Sequence, residues 1–161
     1  MRPSVAPIAI PLVIGVGNRW RGDDGIGPDT IDALGRLDDL EGLDADLLTL
    51  DGEPARLVAT WQGRPLVVVV DAIVAGRPPG TVHVITDPSH LPDRAAGASS
   101  HGGGVAEAVA LGRALGQLPD RLVVVGVEPA TVEHGDVLSP PVAAAVDSVV
   151  RLVAAEVAAC A

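Results

Sequence analysis

Residues 12–25 read LVIGVGNRWRGDDG, and their pattern indicates the type of fold. The apolar run at residues 9–16 ends in glycine and is followed by a polar loop, which is the pattern of a buried strand and the turn after it. A helical pattern then opens at Pro28, with the apolar residues Ile31 and Leu34 on one face. The chain therefore begins as a strand–loop–helix unit of an α/β protein.

The same alternation continues to the end of the chain. Strands are predicted at residues 46–50, 66–70, 81–85 and 121–127, and helices at residues 53–61, 105–115 and, after the cap Ser139, 140–158. Only a short Gly/Pro turn separates the strand at 81–85 from the strand at 66–70. A parallel neighbour would need a crossover of about a dozen residues or more, so this strand should run antiparallel. We expect one domain over residues 1–161, with helices on both faces of a mixed sheet.

Composition excludes several classes of protein. The 161 residues carry a net charge of −10 and only 1% aromatic side chains, which argues against nucleic-acid binding. No apolar run reaches the roughly 20 residues that span a membrane, and prolines interrupt the apolar start of the chain, so neither a membrane span nor a secretory signal is predicted. Cys160 is the only cysteine and cannot form an internal disulfide. We expect a cytoplasmic protein that acts as a monomer.

Three polar segments should meet at the carboxyl ends of the parallel strands, where α/β proteins bind ligands. They are residues 17–25, Asp71 at the end of an apolar strand, and the loop that carries His101. A dinucleotide-binding interpretation of the first segment is weak, because Trp20 stands where the third glycine of that fingerprint belongs. Acidic residues at 23 and 24 could also simply favour a helix N-terminus.

One carboxylate from the Asp23–Asp24 pair, a second from Asp71 and the His101 imidazole would form a mixed oxygen and nitrogen ligand set. Such a set suits a divalent ion such as nickel, zinc, iron or manganese, and the chemistry alone does not choose among them. The other histidines fit this site less well. His83 lies in a predicted strand and is expected to be structural, and the two histidines in loops, at positions 90 and 134, are expected to be solvated.

Seven short blocks resemble, in family order, the [NiFe]-hydrogenase maturation endopeptidases, which process the C-terminus of the hydrogenase large subunit. The blocks are GVGN at 15–18, DDGIG at 23–27, VDAI at 70–73, PGT at 79–81, SHG at 100–102, VGVEP at 125–129 and LSP at 138–140. The resemblance implies a three-layer α/β/α sandwich around a twisted, mixed, mainly parallel five-stranded sheet. It also implies a single cut, made after nickel insertion, that removes the C-terminal extension of a large-subunit precursor.

The family's metal-contacting and catalytic positions correspond to Asp24, Asp71 and His101. The resemblance implies that the substrate supplies the nickel, while another divalent metal can occupy the site in the free protein. Some family members carry Glu at position 24, and Asp23 is left for local hydrogen bonding near the helix start. Two other functions stay open at this point: a non-catalytic module that senses nickel in the precursor, and a general metallohydrolase of small substrates.

Overall fold

The computed structural model describes residues 8–92 and 104–160, with the backbone alone for residues 38–41. Strands and helices alternate as the sequence predicts. The strands are β1 (Leu12–Val16), β2 (Asp46–Leu50), β3 (Val67–Ala72), β4 (Val82–Ile85) and β5 (Leu122–Val127), and the helices are α1 (Ile26–Glu41), α2 (Pro54–Trp61), α3 (Gly104–Leu115) and α4 (Pro140–Cys160). Short 3₁₀ turns occupy Gly22–Gly25 and Pro88–His90.

The five strands form one sheet in the order β2-β1-β3-β5-β4. All neighbouring strands are parallel except β4, which runs antiparallel to β5. The prediction of a mixed, mainly parallel sheet is therefore confirmed. The parallel strands β1, β3 and β5 lie at its centre, so their carboxyl ends share one edge of the sheet.

Helices cover both faces of the sheet. Side chains of β3 alternate between the two: Val68 and Val70 pack with α1 and α4, while Val67 and Val69 pack with α2 and α3. Because successive side chains of a strand point to opposite faces, a strand buried on both sides must be apolar throughout. This explains the uninterrupted valines of β3 and confirms the three-layer architecture.

The first helix begins earlier than the sequence predicts, at Ile26 and not at Pro28. The reason is close packing against the sheet. A Cβ atom on Gly27 would collide with the carbonyl oxygen of Val16 and would lie 2.7 Å from that of Val70. Glycine at this position lets the first turn of α1 lie directly on the ends of β1 and β3, which brings the preceding loop over the same edge. Within the described ranges, no helix has the length and apolar character that a membrane crossing requires.

Candidate functional site

Polar side chains gather where the three central strands end. Asp71 lies near the end of β3, opposite Gly126 of β5. Asp24 lies in the 3₁₀ turn that follows β1, and Glu128 comes directly after β5. Parallel strands thus deliver three carboxylates to one edge of the sheet, the place where α/β proteins bind ligands.

Asp71 is an acid in unfavourable surroundings. It is half-buried near the carboxyl end of β3. Burial raises the pKa of the Asp71 carboxyl well above its usual range, and the negative charge of Asp24 raises it further, against the opposing effect of the Ala72 N–H. Since burial and a like charge both disfavour the ionised form, a cation placed here would be stabilised.

Asp24 is held in place by the loop that carries it. Its Oδ2 accepts a hydrogen bond of 2.9 Å from the backbone N–H of Asn18. Burial raises the pKa of Asp24, while the Asn18 N–H and the charge of Arg21 partly offset this rise. Gly17 makes the tight turn possible: its φ of +142° is in the glycine region, and a Cβ there would collide with the carbonyl oxygen of Asp24.

Asp24 and Asp71, two of the three predicted ligands, both lie at this edge of the sheet, and the charge of Asp24 is one cause of the raised pKa of Asp71. Their oxygen donors fit a divalent metal ion, and neutralising two adjacent carboxylates would relieve their repulsion. His101, the third predicted ligand, lies outside the described residues. Across residues 8–92 and 104–160, no set of three or more His, Cys, Asp or Glu side chains is arranged to hold a metal. The ligand role of all three residues stays a prediction.

Asp23 has a different role from its neighbour. Its fully buried carboxylate accepts hydrogen bonds from the backbone N–H groups of Ala130, Thr131 and Ser139 and from the Ser139 hydroxyl, at 2.7–3.2 Å. Burial by itself would raise the pKa of Asp23, but the bonds from Ser139, Ala130 and Thr131 outweigh it and lower the pKa. The expectation of local bonding near the helix start is wrong, because these partners lie 107–116 residues away. Asp23 fastens the loop after β1 to the loop before α4.

Glu128 fastens a second loop. Its carboxylate, only 3% exposed, accepts the backbone N–H groups of Ala75 and Gly76 at 3.0–3.1 Å. The Nε2 atom of His83 lies 3.3 Å from Glu128 Oε2. This contact supports the expected structural role of His83. The two loop histidines, at positions 90 and 134, are exposed, as the sequence predicts.

Sequence reasoning missed the roles of Asp23 and Glu128. Nothing near Asp23 in the sequence identifies partners more than a hundred residues away. For Glu128 one signal was present: an acidic residue directly after a continuous apolar strand, where an ionised group needs partners. The same reasoning singled out Asp71, which ends the neighbouring strand.

Fold and site together define a three-layer α/β protein with a carboxylate pair at the carboxyl edge of a mainly parallel sheet. The family model of the HycI hydrogenase maturation proteases matches residues 44–156. The hydrogenase 2 maturation protease of Escherichia coli K12 is 30% identical over 152 residues, which cover 89% of this chain and 88% of that protein. This chain belongs to the hydrogenase maturation protease family.

Two further relatives are the hydrogenase expression/formation proteins HupD of Thiocapsa roseopersicina and Rhodobacter capsulatus. They are 34% and 29% identical to this chain over 81% and 84% of its length. The chain spans 60% and 65% of these two HupD proteins, which is less than two thirds of either.

Solved structures agree with this assignment. The hydrogenase maturating endopeptidase HybD from E. coli superposes with a TM-score of 0.72 at 28% identity, covering 89% of each chain. The [NiFe] hydrogenase maturation protease HycI from Thermococcus kodakarensis has a TM-score of 0.66 at 23% identity and covers 92% of each chain, which supports the fold.

Proposed function

We propose that this protein is an endopeptidase that removes the C-terminal extension of a [NiFe]-hydrogenase large-subunit precursor after nickel has been inserted. The observation that carries the proposal is the Asp24–Asp71 pair. In a chain of the maturation protease family, two partly buried carboxylates lie at the ligand-binding edge of the sheet, and the charge of Asp24 adds to burial in raising the pKa of Asp71. Such a pair is suited to a cation that arrives with the substrate.

In this proposal the nickel belongs to the substrate, and Asp24, Asp71 and His101 act as its temporary ligands. A bound divalent ion supplies Lewis acidity for peptide hydrolysis. The chain contributes the carboxylates and holds Asp24 in position through the Asn18 N–H. Three ligands leave coordination positions for groups of the precursor, so binding would be tight only when the precursor already carries the metal.

The test compares a large-subunit precursor from the same genome with and without nickel, each incubated with protein that has been dialysed against a chelator. Intact-mass spectrometry of the large subunit measures the cut. We expect loss of the C-terminal extension from the loaded precursor only.

Each of the other results has a definite meaning. Efficient cleavage of the nickel-free precursor would overturn nickel recognition and leave the endopeptidase function standing. Binding of the loaded precursor without any shortening would favour the non-catalytic, nickel-sensing module instead.

A further inference from the structure

The chain has only two aromatic side chains, and they occupy opposite environments. Trp61 is fully buried between the sheet and α3, and its Nε1–H donates to the Gln117 carbonyl at 3.1 Å. Trp20 is 68% exposed. Val137 is also 74% exposed, although apolar side chains of this size usually contribute to the core. Trp20 and Val137 together are called the Trp20 surface below.

Backbone hydrogen bonds join the two loops that carry this surface. The N–H of Gly135 donates to the Trp20 carbonyl at 3.0 Å, and the N–H of Gly22 donates to the Gly135 carbonyl at 2.8 Å. Val137 follows two residues after Gly135. The buried carboxylate of Asp23 also joins these two loops, because it accepts hydrogen bonds from Ala130 and Ser139. Hydrogen bonds therefore hold the backbone of the Trp20 surface in place, and this reduces the entropy that is lost when a partner binds.

The surface is also continuous with the candidate active site. The backbone N–H of Trp20 donates to Asn18 Oδ1 at 2.9 Å. The backbone N–H of Asn18 in turn donates to Asp24 Oδ2 at 2.9 Å. One loop thus carries both an exposed tryptophan and, four residues later, a carboxylate of the site.

We propose that the Trp20 surface docks an apolar segment of the precursor next to the bond that is cut. This deepens the proposed function and rests on it. Exposed aromatic side chains are typical anchors of protein interfaces, where a few residues supply most of the binding energy. The size of the surface argues against a second copy of this chain as the occupant. Its two side chains offer roughly 300 Å² at most, whereas a stable interface buries about 800 Å² on each partner.

The test measures KM and kcat for cleavage of the nickel-loaded precursor by the wild type, by Trp20→Ala and by Leu115→Ala. Leu115 is a matched control, because it is 45% exposed but ends α3, seven residues before β5 begins at the amino edge of the sheet. Trp20→Ala retains the backbone N–H that bonds Asn18. We expect its KM to rise at least tenfold, with kcat within twofold and an unchanged melting temperature. Trp20→Phe should have a KM much closer to that of the wild type, and Leu115→Ala should have the wild-type KM and kcat.

Three results would overturn the inference. An unchanged KM in Trp20→Ala, with the wild type active, removes the docking role and leaves the proposed function intact. A wild type that neither binds nor cuts the loaded precursor defeats the proposed function and the docking role together. Sedimentation that detects a wild-type dimer, dissociated by Trp20→Ala, assigns the surface to a second copy.

Discussion

The carboxylate of Asp23 accepts hydrogen bonds from three residues of another loop. The carboxylate of Asp71, by contrast, is disfavoured in its ionised form by burial and by the negative charge of Asp24. Both acids lie at the same edge of the sheet. The pKa of Asp23 is lowered and that of Asp71 is raised. The difference separates two uses of a buried acid. A carboxylate bonded to several N–H groups stabilises the loops around it, and one whose pKa is raised by burial and a like charge is a candidate for binding a cation or for chemistry.

The greatest expected loss of activity concerns Asp24 and Asp71. Asp24→Asn and Asp71→Asn remove a negative charge with almost no change in shape. Each should reduce cleavage of the nickel-loaded precursor at least about 100-fold, equivalent to about 2.7 kcal/mol in transition-state stabilisation. The rate of large-subunit shortening, followed by mass spectrometry, measures this loss.

A suitable control for this pair is Asp51→Asn. Asp51 follows β2 at the same edge of the sheet, but its side chain is 65% exposed and lies 3.4 Å from Arg56. This variant should cleave at the wild-type rate. Normal cleavage by Asp71→Asn would show that the raised pKa of this acid does not indicate a functional group.

The next largest effect is on the free energy of unfolding, and it concerns Asp23. Asp23→Ala leaves the backbone N–H groups of Ala130, Thr131 and Ser139 without their acceptor. A hydrogen bond to a charged group contributes about 1.5–3 kcal/mol, and water can reach these partly exposed donors in the variant, so the loss should be about 2 kcal/mol. Urea denaturation followed by circular dichroism measures it.

Asp32→Ala is the control for that change, because it removes only an exposed ion pair with Arg19 and should cost less than about 1 kcal/mol. The pKa of Asp23 is lowered in the folded state, so its contribution is complete above the ordinary pKa of about 4 and disappears as the pH falls further. The difference between wild type and Asp23→Ala should therefore shrink below about pH 4. A difference independent of pH would contradict the assigned role of the ionised carboxylate.

The last and smallest effect is a gain in stability, expected for Asp71→Asn. A raised pKa means that the ionised form of Asp71 destabilises the folded chain at neutral pH. Asp71→Asn should therefore melt at a higher temperature than wild type, and a gain of about 1 kcal/mol corresponds to about 2–4 °C in a domain of this size. Thermal melts at several pH values check this, because the gain should decrease in acid as Asp71 becomes protonated. A variant that is inactive and also less stable at neutral pH would indicate a structural role for Asp71.

The layered architecture could be predicted from the amino-acid sequence alone. Runs of valine and leucine that are followed by glycine or by an acidic residue identified β1, β3 and β5, because a strand buried on both faces leaves no position for polar residues. The short turn before β4 fixed its antiparallel direction, since it is too short for a crossover. The placement of Asp24 and Asp71 at one edge followed from these strands.

The difference between the acids became visible only in the folded chain. Asp23 and Asp24 are adjacent and chemically identical, yet one is bonded to a loop more than a hundred residues away and the charge of the other raises the pKa of Asp71. Likewise, the sequence did not reveal that Trp61 is buried while Trp20 is exposed beside the site. Local sequence determines which strand or turn carries a side chain. Its hydrogen-bond partners, its burial and therefore its pKa depend on distant segments that meet only in the folded chain.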